Sequence, residues 1–219
     1  MTLLAIAPVS LFASEPFYKT LDTPPAPELT PEEALASFSL APNFEIEVVA
    51  AEPLVEDPVA IAWDEDGLMY VVEMRGYMPD AYGNGKDEPV GVVVQLEDLD
   101  GDGRYDQRVV LLDGLVLPRA LAVVNEGLLV GEPPNLWLCP HASQGNKRID
   151  CAKKKRLGVF GSVEANVEHD ENGMLLGIDN WFYNAKSSRR IRLRNGAVES
   201  EPTLMRGQWG ITSNNSGTL

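Results

Sequence analysis

The sequence predicts an all-β fold of the propeller type, and three observations carry that prediction. From residue 44 onward the chain is a series of short runs rich in Val, Ile, Leu and aromatic residues, each closed by Gly, Pro, Asp or Asn. No stretch beyond residue 40 keeps an apolar period of 3.6 residues over three turns. A loose repeat also runs through this part. "AWDEDGLMYVVE" (62–73), "VVNEGLLVGEP" (123–133), "GIDNWFYNA" (177–185) and "GITSNNSGTL" (210–219) each join an apolar residue, a polar turn and a strand. Their spacing, between roughly 35 and 60 residues, is that of propeller blades with variable loops. An antiparallel sandwich with Asp-Gly turns is the competing architecture.

The elements follow in order. Residues 1–14 hold an apolar run, Leu3 to Ala13, that looks like a secretory segment, although the first basic residue is Lys19. Export and a cytosolic leader both fit this pattern, and export is the expectation. Residues 15–43 are proline-rich and read as a linker or arm, with one short helix at "TPEEALASF": Thr30 as N-cap, Pro31 in the first turn and Glu33 in the capping-box position. Residues 44–219 form the β domain, with strands expected at EIEVVA, AIAW, LMYVVEM, GVVVQLED, RVVLL, LAVV, GLLVGE, NLWLC, MLLGI, WFYNA and RIRLR. About 175 residues leave room for roughly four blades at ~45 residues each. The last repeat stops at Leu219 where the others enter their strand, so the expectation is an incomplete propeller at the start of a longer protein. Its uncovered sheet faces predict marginal stability.

Charge narrows the partners. The 219 residues carry 33 acidic and 18 basic side chains, a formal net charge of -15. Nucleic acid and anionic membrane surfaces both require a cationic face, so the charge argues against them as partners. Divalent cations and neutral substrates remain compatible, and so does a plain solubilising surface. Cys139 and Cys151 flank "PHASQGNKRID", whose turn residues lie between two strand-like pieces. A hairpin there brings the thiols together and an oxidising compartment joins them; two unrelated small residues are the alternative.

Three stretches could carry chemistry. In "DLDGDGRYD" (98–106), Asp98, Asp100, Asp102 and Asp106 alternate as in a calcium loop, with Gly103 at the tight turn. Position 12 is Val109 instead of a bidentate Glu, and the flanks are strands, so this is no EF-hand. A calcium ion that rigidifies the turn and a solvated acidic hairpin both remain open. In "NVEHDENGMLLGIDNWFYNA" (166–185), His169 stands before a strand among Glu168, Asp170, Asn166 and Asn172, a place for a general base. A hydrogen-bonded structural histidine is the plainer reading. In "VVEMRGYMPD" (71–80), Glu73, Arg75 and Tyr77 leave a strand on alternate positions, and Arg75 either grips an anion or pairs with Glu73 on a rim. There is no CxxCH, Walker loop, GxGxxG, GxSxG or HExxH.

Taken in order, "FSLAPNFEIEVVAAEPLVEDPVAIAWDEDGLMYVVEMRGY", "LEDLDGDGRYDQRVVLLDGL", "PPNLW", "EHDENGMLLGIDNWFYN" and "RGQWGI" resemble the N-terminal propeller of the membrane-bound dehydrogenases common in planctomycetes. That family is similar to the soluble quinoprotein glucose and sorbosone dehydrogenases. The resemblance spans about residues 38–219. It implies a six-bladed propeller of the quinoprotein glucose dehydrogenase type, in a periplasmic or otherwise extracytoplasmic protein. It further implies an oxidoreductase that oxidises a sugar or another alcohol or aldehyde, with pyrroloquinoline quinone as cofactor beside calcium. A cytochrome domain or protein would take the electrons. His169 matches the histidine that removes the substrate hydroxyl proton, and Arg75 is the expected anion or cofactor contact. Where relatives often carry a second acidic loop after "PPNLW", this chain has "CPHASQGNKRIDC", which fits a disulfide in place of an ion. The rival function is a non-catalytic propeller that binds carbohydrate or a protein partner.

Overall fold

The computed structural model describes residues 28–78, 80, 82–162 and 166–219. The leader-like run at 1–14 lies outside the described residues, as do 15–27 of the arm. The chain divides into two units, at Ile46 and Glu47. In the first, helix α1 (Pro31–Ala36) starts as its sequence dictates. The Glu33 N–H donates to Thr30 Oγ1 at 3.2 Å, and the Thr30 N–H donates to Glu33 Oε2 at 2.9 Å.

The second unit, 47–219, consists of three antiparallel sheets in chain order. The first is β1 (Pro58–Trp63), β2 (Met69–Glu73), β3 (Gly91–Glu97) and β4 (Gln107–Leu115), each paired with the next. The second is β5 (Ala120–Val124), β6 (Gly127–Glu132), β7 (Asn135–Ser143) and β8 (Asn146–Ile149), with β9 (Lys155–Val159) also paired to β7. The third is β10 (Asn172–Leu176), β11 (Phe182–Ala185), β12 (Arg189–Arg194) and β13 (Ala197–Pro202). Strand β5 lies beside both β1 and β10, so the first strand of each sheet faces the first strand of its neighbour. This is the arrangement of propeller blades around an axis, and the expected fold stands. Three sheets form, two of four strands and one of five, against the roughly four blades that length suggested. The fourth repeat, 210–219, contains turns and no strand.

Two apolar layers hold the three sheets together. Between the first and second sheets, Tyr70, Val72, Val93, Leu112 and Leu115 meet Leu121, Leu128 and Val130. The disulfide Cys139–Cys151 lies in that layer, with 4.4 Å between its Cα atoms. Between the second and third, Ala120, Ala122, Leu129, Leu136, Leu138 and Phe160 meet Phe182 and Ile191. Strands β2 and β6 are buried along their whole length because each is covered on both faces. The outer face of the first sheet (Met69, Val71, Val92, Val94, Leu96) is covered in part by Ala50, Val55 and Tyr105.

One expected strand is absent. EIEVVA (45–50) runs without ladder partners, and its only backbone tie to the first sheet's turns is the Val49 carbonyl, which accepts from the Tyr105 N–H at 2.9 Å. Its Ala50 packs against the first sheet as part of a cover and not as a rung of it.

Candidate functional site

Antiparallel pairing sorts the loops into two sets at opposite ends of the sheets. One end carries the segments after β2 (74–90), before β5 (116–119), before β10 (160–171) and after β13 (203–210). The other end carries the turns 64–68, 98–106, 125–126 and 177–181. Strands of five to seven residues separate these ends by roughly 20 Å at about 3.3 Å per residue. His169 and Arg75 therefore belong to one end, and Asp98, Asp100, Asp102 and Asp106 to the other.

At the His169 end, loops from all three sheets meet on Arg119. It immediately precedes β5, its side chain is fully buried, and it draws the 160–171 segment inward. Its Nε donates to the Leu117 carbonyl at 3.2 Å and its Nη1 to the Val167 carbonyl at 2.6 Å. Nη2 lies 3.8 Å from Asp170 Oδ2 and makes no hydrogen bond. The guanidinium also stands 5.7 Å from the centre of the Trp209 ring. Burial pulls the Arg119 pKa below its usual value, and the charge of Asp170 opposes that. From the first sheet, the Tyr77 hydroxyl donates to Glu168 Oε1 at 3.0 Å across 91 residues. Burial first, then that bond, raises the Tyr77 hydroxyl pKa. Asn172 closes the ring of loops: its Nδ2 donates to the Gln208 carbonyl at 3.0 Å, and its Oδ1 accepts from the Gly210 N–H at 2.7 Å.

His169 sits in a single 3-10 turn, Val167–His169, capped by Asn166 Oδ1 on the Glu168 N–H at 3.0 Å. Its ring is exposed, and among the described residues nothing hydrogen-bonds it. It is thus presented to solvent between Glu168, tied to Tyr77, and the buried Asp170. Such an imidazole can accept a proton from a bound hydroxyl; among the described residues no third group orients it.

Arg75 lies at the same end and is engaged within the protein. Its Nη2 meets Glu73 Oε2 at 2.6 Å and Glu56 Oε2 at 3.0 Å, and its Nε also donates to Glu73. Glu73, fully buried, further accepts from Arg108 Nη2 at 3.0 Å and from the Glu56 N–H at 3.2 Å. Glu132 closes β6 in the same way, taking the Val116 N–H and the Trp137 Nε1–H, both at 2.7 Å. Both glutamates staple loops to a strand end, and Arg75 as placed serves that staple.

At the far end, the acidic turn folds around its own carboxylates. Asp98 accepts from the Gly101 and Gly103 N–H groups at 2.8 and 2.9 Å, Asp100 from Asp102, and Asp106 from Leu99. Gly103 holds φ +91°, a conformation that a side chain rarely adopts, and this is why the turn needs glycine there. Oxygens of Asp98, Asp100 and Asp106 lie within 4.8 Å of one another. Asp102 is not in that group; its carboxylate accepts from the Arg104 N–H at 2.7 Å.

The sequence reading grouped His169 with Glu168, Asp170 and Asn172 but missed Arg119 and Trp209. The only signal for Arg119 was a lone cation directly before an apolar strand, "PRALAVV", and that pattern ordinarily marks a loop. Trp209 stood in a segment used only as a landmark. Among the described residues no helix is long and apolar enough to cross a membrane.

No curated protein matches the chain. Several solved structures resemble it. A protein named as a gluconolactonase is 16% identical with a TM-score of 0.47, over 75% of this chain and 54% of that one. A Carbohydrate-Active Enzymes Family AA12 protein of Trichoderma reesei is 15% identical with a TM-score of 0.42, over 70% and 33%. A streptogramin B lyase is 16% identical with a TM-score of 0.38, over 78% and 63%. The chain spans about half the length of the first of these. The domain of unknown function DUF7133 matches over residues 30–219, and the chain therefore belongs to that family.

Proposed function

We propose that the chain forms part of the channel mouth of an extracytoplasmic propeller enzyme acting on a small hydroxylated substrate, a sugar or another alcohol or aldehyde. The observation that carries this reading is the convergence of three loops on Arg119. A buried guanidinium whose Nη2 makes no hydrogen bond stands there beside Asp170, the Tyr77–Glu168 pair and the exposed His169. Arg119 holds the turn that presents His169, through the Val167 carbonyl, and His169 accepts the proton of a bound hydroxyl. The Cys139–Cys151 bond is compatible with an oxidising compartment.

The finer reading makes the reaction a dehydrogenation, with pyrroloquinoline quinone as the bound two-electron acceptor and a cytochrome beyond it. A tricarboxylate quinone needs several cations. Among the described residues at this end, Arg75 is held by Glu73 and Glu56 and Arg206 by Thr203 and the Leu204 carbonyl, which leaves the buried Arg119 Nη2 and the loop lysines Lys86 and Lys186. These residues do not by themselves form a quinone pocket, so no step is derived through it. The second reading is a propeller that binds carbohydrate or a protein without chemistry, and it is compatible with a His169 ring that has no orienting partner among the described residues.

Reconstitution of the full-length protein with the quinone and calcium, followed by dye reduction on a panel of sugars, separates the two. Turnover that falls by about 10²-fold or more in His169→Ala supports the base assignment. Unchanged turnover in that variant removes His169 from the mechanism. No dye reduction and no quinone spectrum favour the binding propeller.

A further inference from the structure

On the outer side of the 160–171 segment, the second and third sheets part at their outer strands and leave a cleft of about 430 Å³. Sheets that radiate from an axis diverge outward, so a gap here is expected; its lining is not. Asn184 of β11 is 5% exposed and lines the cleft, and its Oδ1 has no hydrogen-bond partner. A buried amide left unsatisfied costs on the order of 1–3 kcal/mol, so such groups call for a ligand or ordered water. Around it stand Glu171, Ser187, Arg189 and Ser200 as the polar wall, over an apolar floor that includes Phe160 and Ile191.

We propose that this cleft is a second binding site, for a neutral hydroxylated molecule of monosaccharide size. The volume holds roughly fourteen water-sized groups at about 30 Å³ each. Charge excludes an ionic ligand, because the lining carries one carboxylate, Glu171, and one guanidinium, Arg189, which offset each other. Arg189 is also spent locally: its Nε donates to Ser200 Oγ at 2.7 Å and its Nη2 to the Ser200 carbonyl at 3.0 Å. A hydroxyl both donates and accepts, so it satisfies an amide whichever way that amide faces. The apolar floor suits the C–H face of a sugar ring. The cleft shares the 160–171 segment with the channel mouth but none of the residues placed there, so its reading stands or falls on its own test.

The test titrates D-glucose, D-xylose and glycerol into the full chain, read by calorimetry and by the side-chain amide resonances of labelled protein. The expected result is saturable binding of at least one sugar, a shifted Asn184 amide resonance, and affinity about tenfold weaker in Asn184→Leu. Ser200→Trp closes the exposed rim without entering the core; it is expected to abolish binding and carries the test if Asn184→Leu fails to fold. No saturable binding at millimolar sugar overturns the proposal and leaves the cleft to water. Binding retained in both variants overturns it as well. So does binding lost in His169→Ala but kept in Asn184→Leu, because that places the sugar at the channel mouth.

Discussion

Burial pushes the Glu171 carboxyl above its ordinary value, while a hydrogen bond from Ser187 and the charge of Arg189 pull it back. A raised acid favours the folded state below its unfolded pKa, and that contribution is lost as pH rises through the folded value. Glu171→Gln is therefore expected to raise Tm near neutral pH and to give no gain near pH 4, as read by thermal melts; equal effects at both would refute the assignment. Asp98 runs the other way. The Gly103 N–H foremost, then Gly101, stabilise its charged form and hold it below the ordinary value, so its contribution is present above that value and lost as pH falls through the lowered one. The same turn carries a calcium prediction. Calcium at about 100-fold over its Kd is expected to stabilise the chain by about 2.7 kcal/mol. The gain should vanish in Asp98→Asn and persist in Asp102→Asn, since only Asp98, Asp100 and Asp106 converge. An equal response of the two variants argues against an ion. These carboxylates were legible as a group because their alternation is local; that Asp102 turns away to Arg104 was not.

The strands that were easy to read are the buried ones. β2, β3 and β6 are runs of Val, Leu and Met because both of their faces are covered. β8, β9 and β13 were missed, and the composition of β9 and β13 explains it. KRLGV and AVESEP look like loop, yet β13 pairs along its length with β12, where Arg190 faces Glu201 and Arg192 faces Glu199. Trp181 and Tyr183 continue that ladder, with Arg190 and Arg192 4.8 and 4.3 Å from the Trp181 ring centre. Cross-strand charge and cation–π pairs substitute here for β-branched residues. Gly131 on β6 shows the opposite constraint: a Cβ there would stand 2.7 Å from the Phe160 ring. The disulfide belongs to this scale too, because it ties β7 to the turn that launches β9. Cys139→Ser with Cys151→Ser is expected to cost about 3 kcal/mol for a loop of 12 residues, measured by urea denaturation. A loss under about 1 kcal/mol would show that the buried layer around the bond does its work.

Across the whole molecule, stability rests on the second sheet, which packs on both of its neighbours. Leu129, 1% exposed and facing the third sheet, is expected to cost about 2–5 kcal/mol as Leu129→Ala, whereas Ile61→Ala, at 51% exposure, should stay within about 1 kcal/mol. Chemical denaturation of the two variants distinguishes a cooperative three-sheet unit, in which Leu129→Ala shifts the whole transition, from sheets that melt separately. The two outermost faces are not left bare, as the open-propeller expectation had it. Ala50, Val55 and Tyr105 cover part of one, and the arginine–aromatic ladder occupies the other.

Hydrophobic runs and turn residues act over a few positions, so the β class, the hairpin repeat, the α1 cap, the acidic turn and the cysteine pair could all be read directly from the order of residues. Which end of the sheets each loop occupies depends on strand pairing between residues far apart. Only the folded chain therefore set His169 and the acidic turn on opposite ends, and bound Arg75 into the Glu73 staple. The same long-range packing carried Tyr77 across to Glu168 and buried Arg119 among three loops, because burial and ion pairing are properties of neighbours in space.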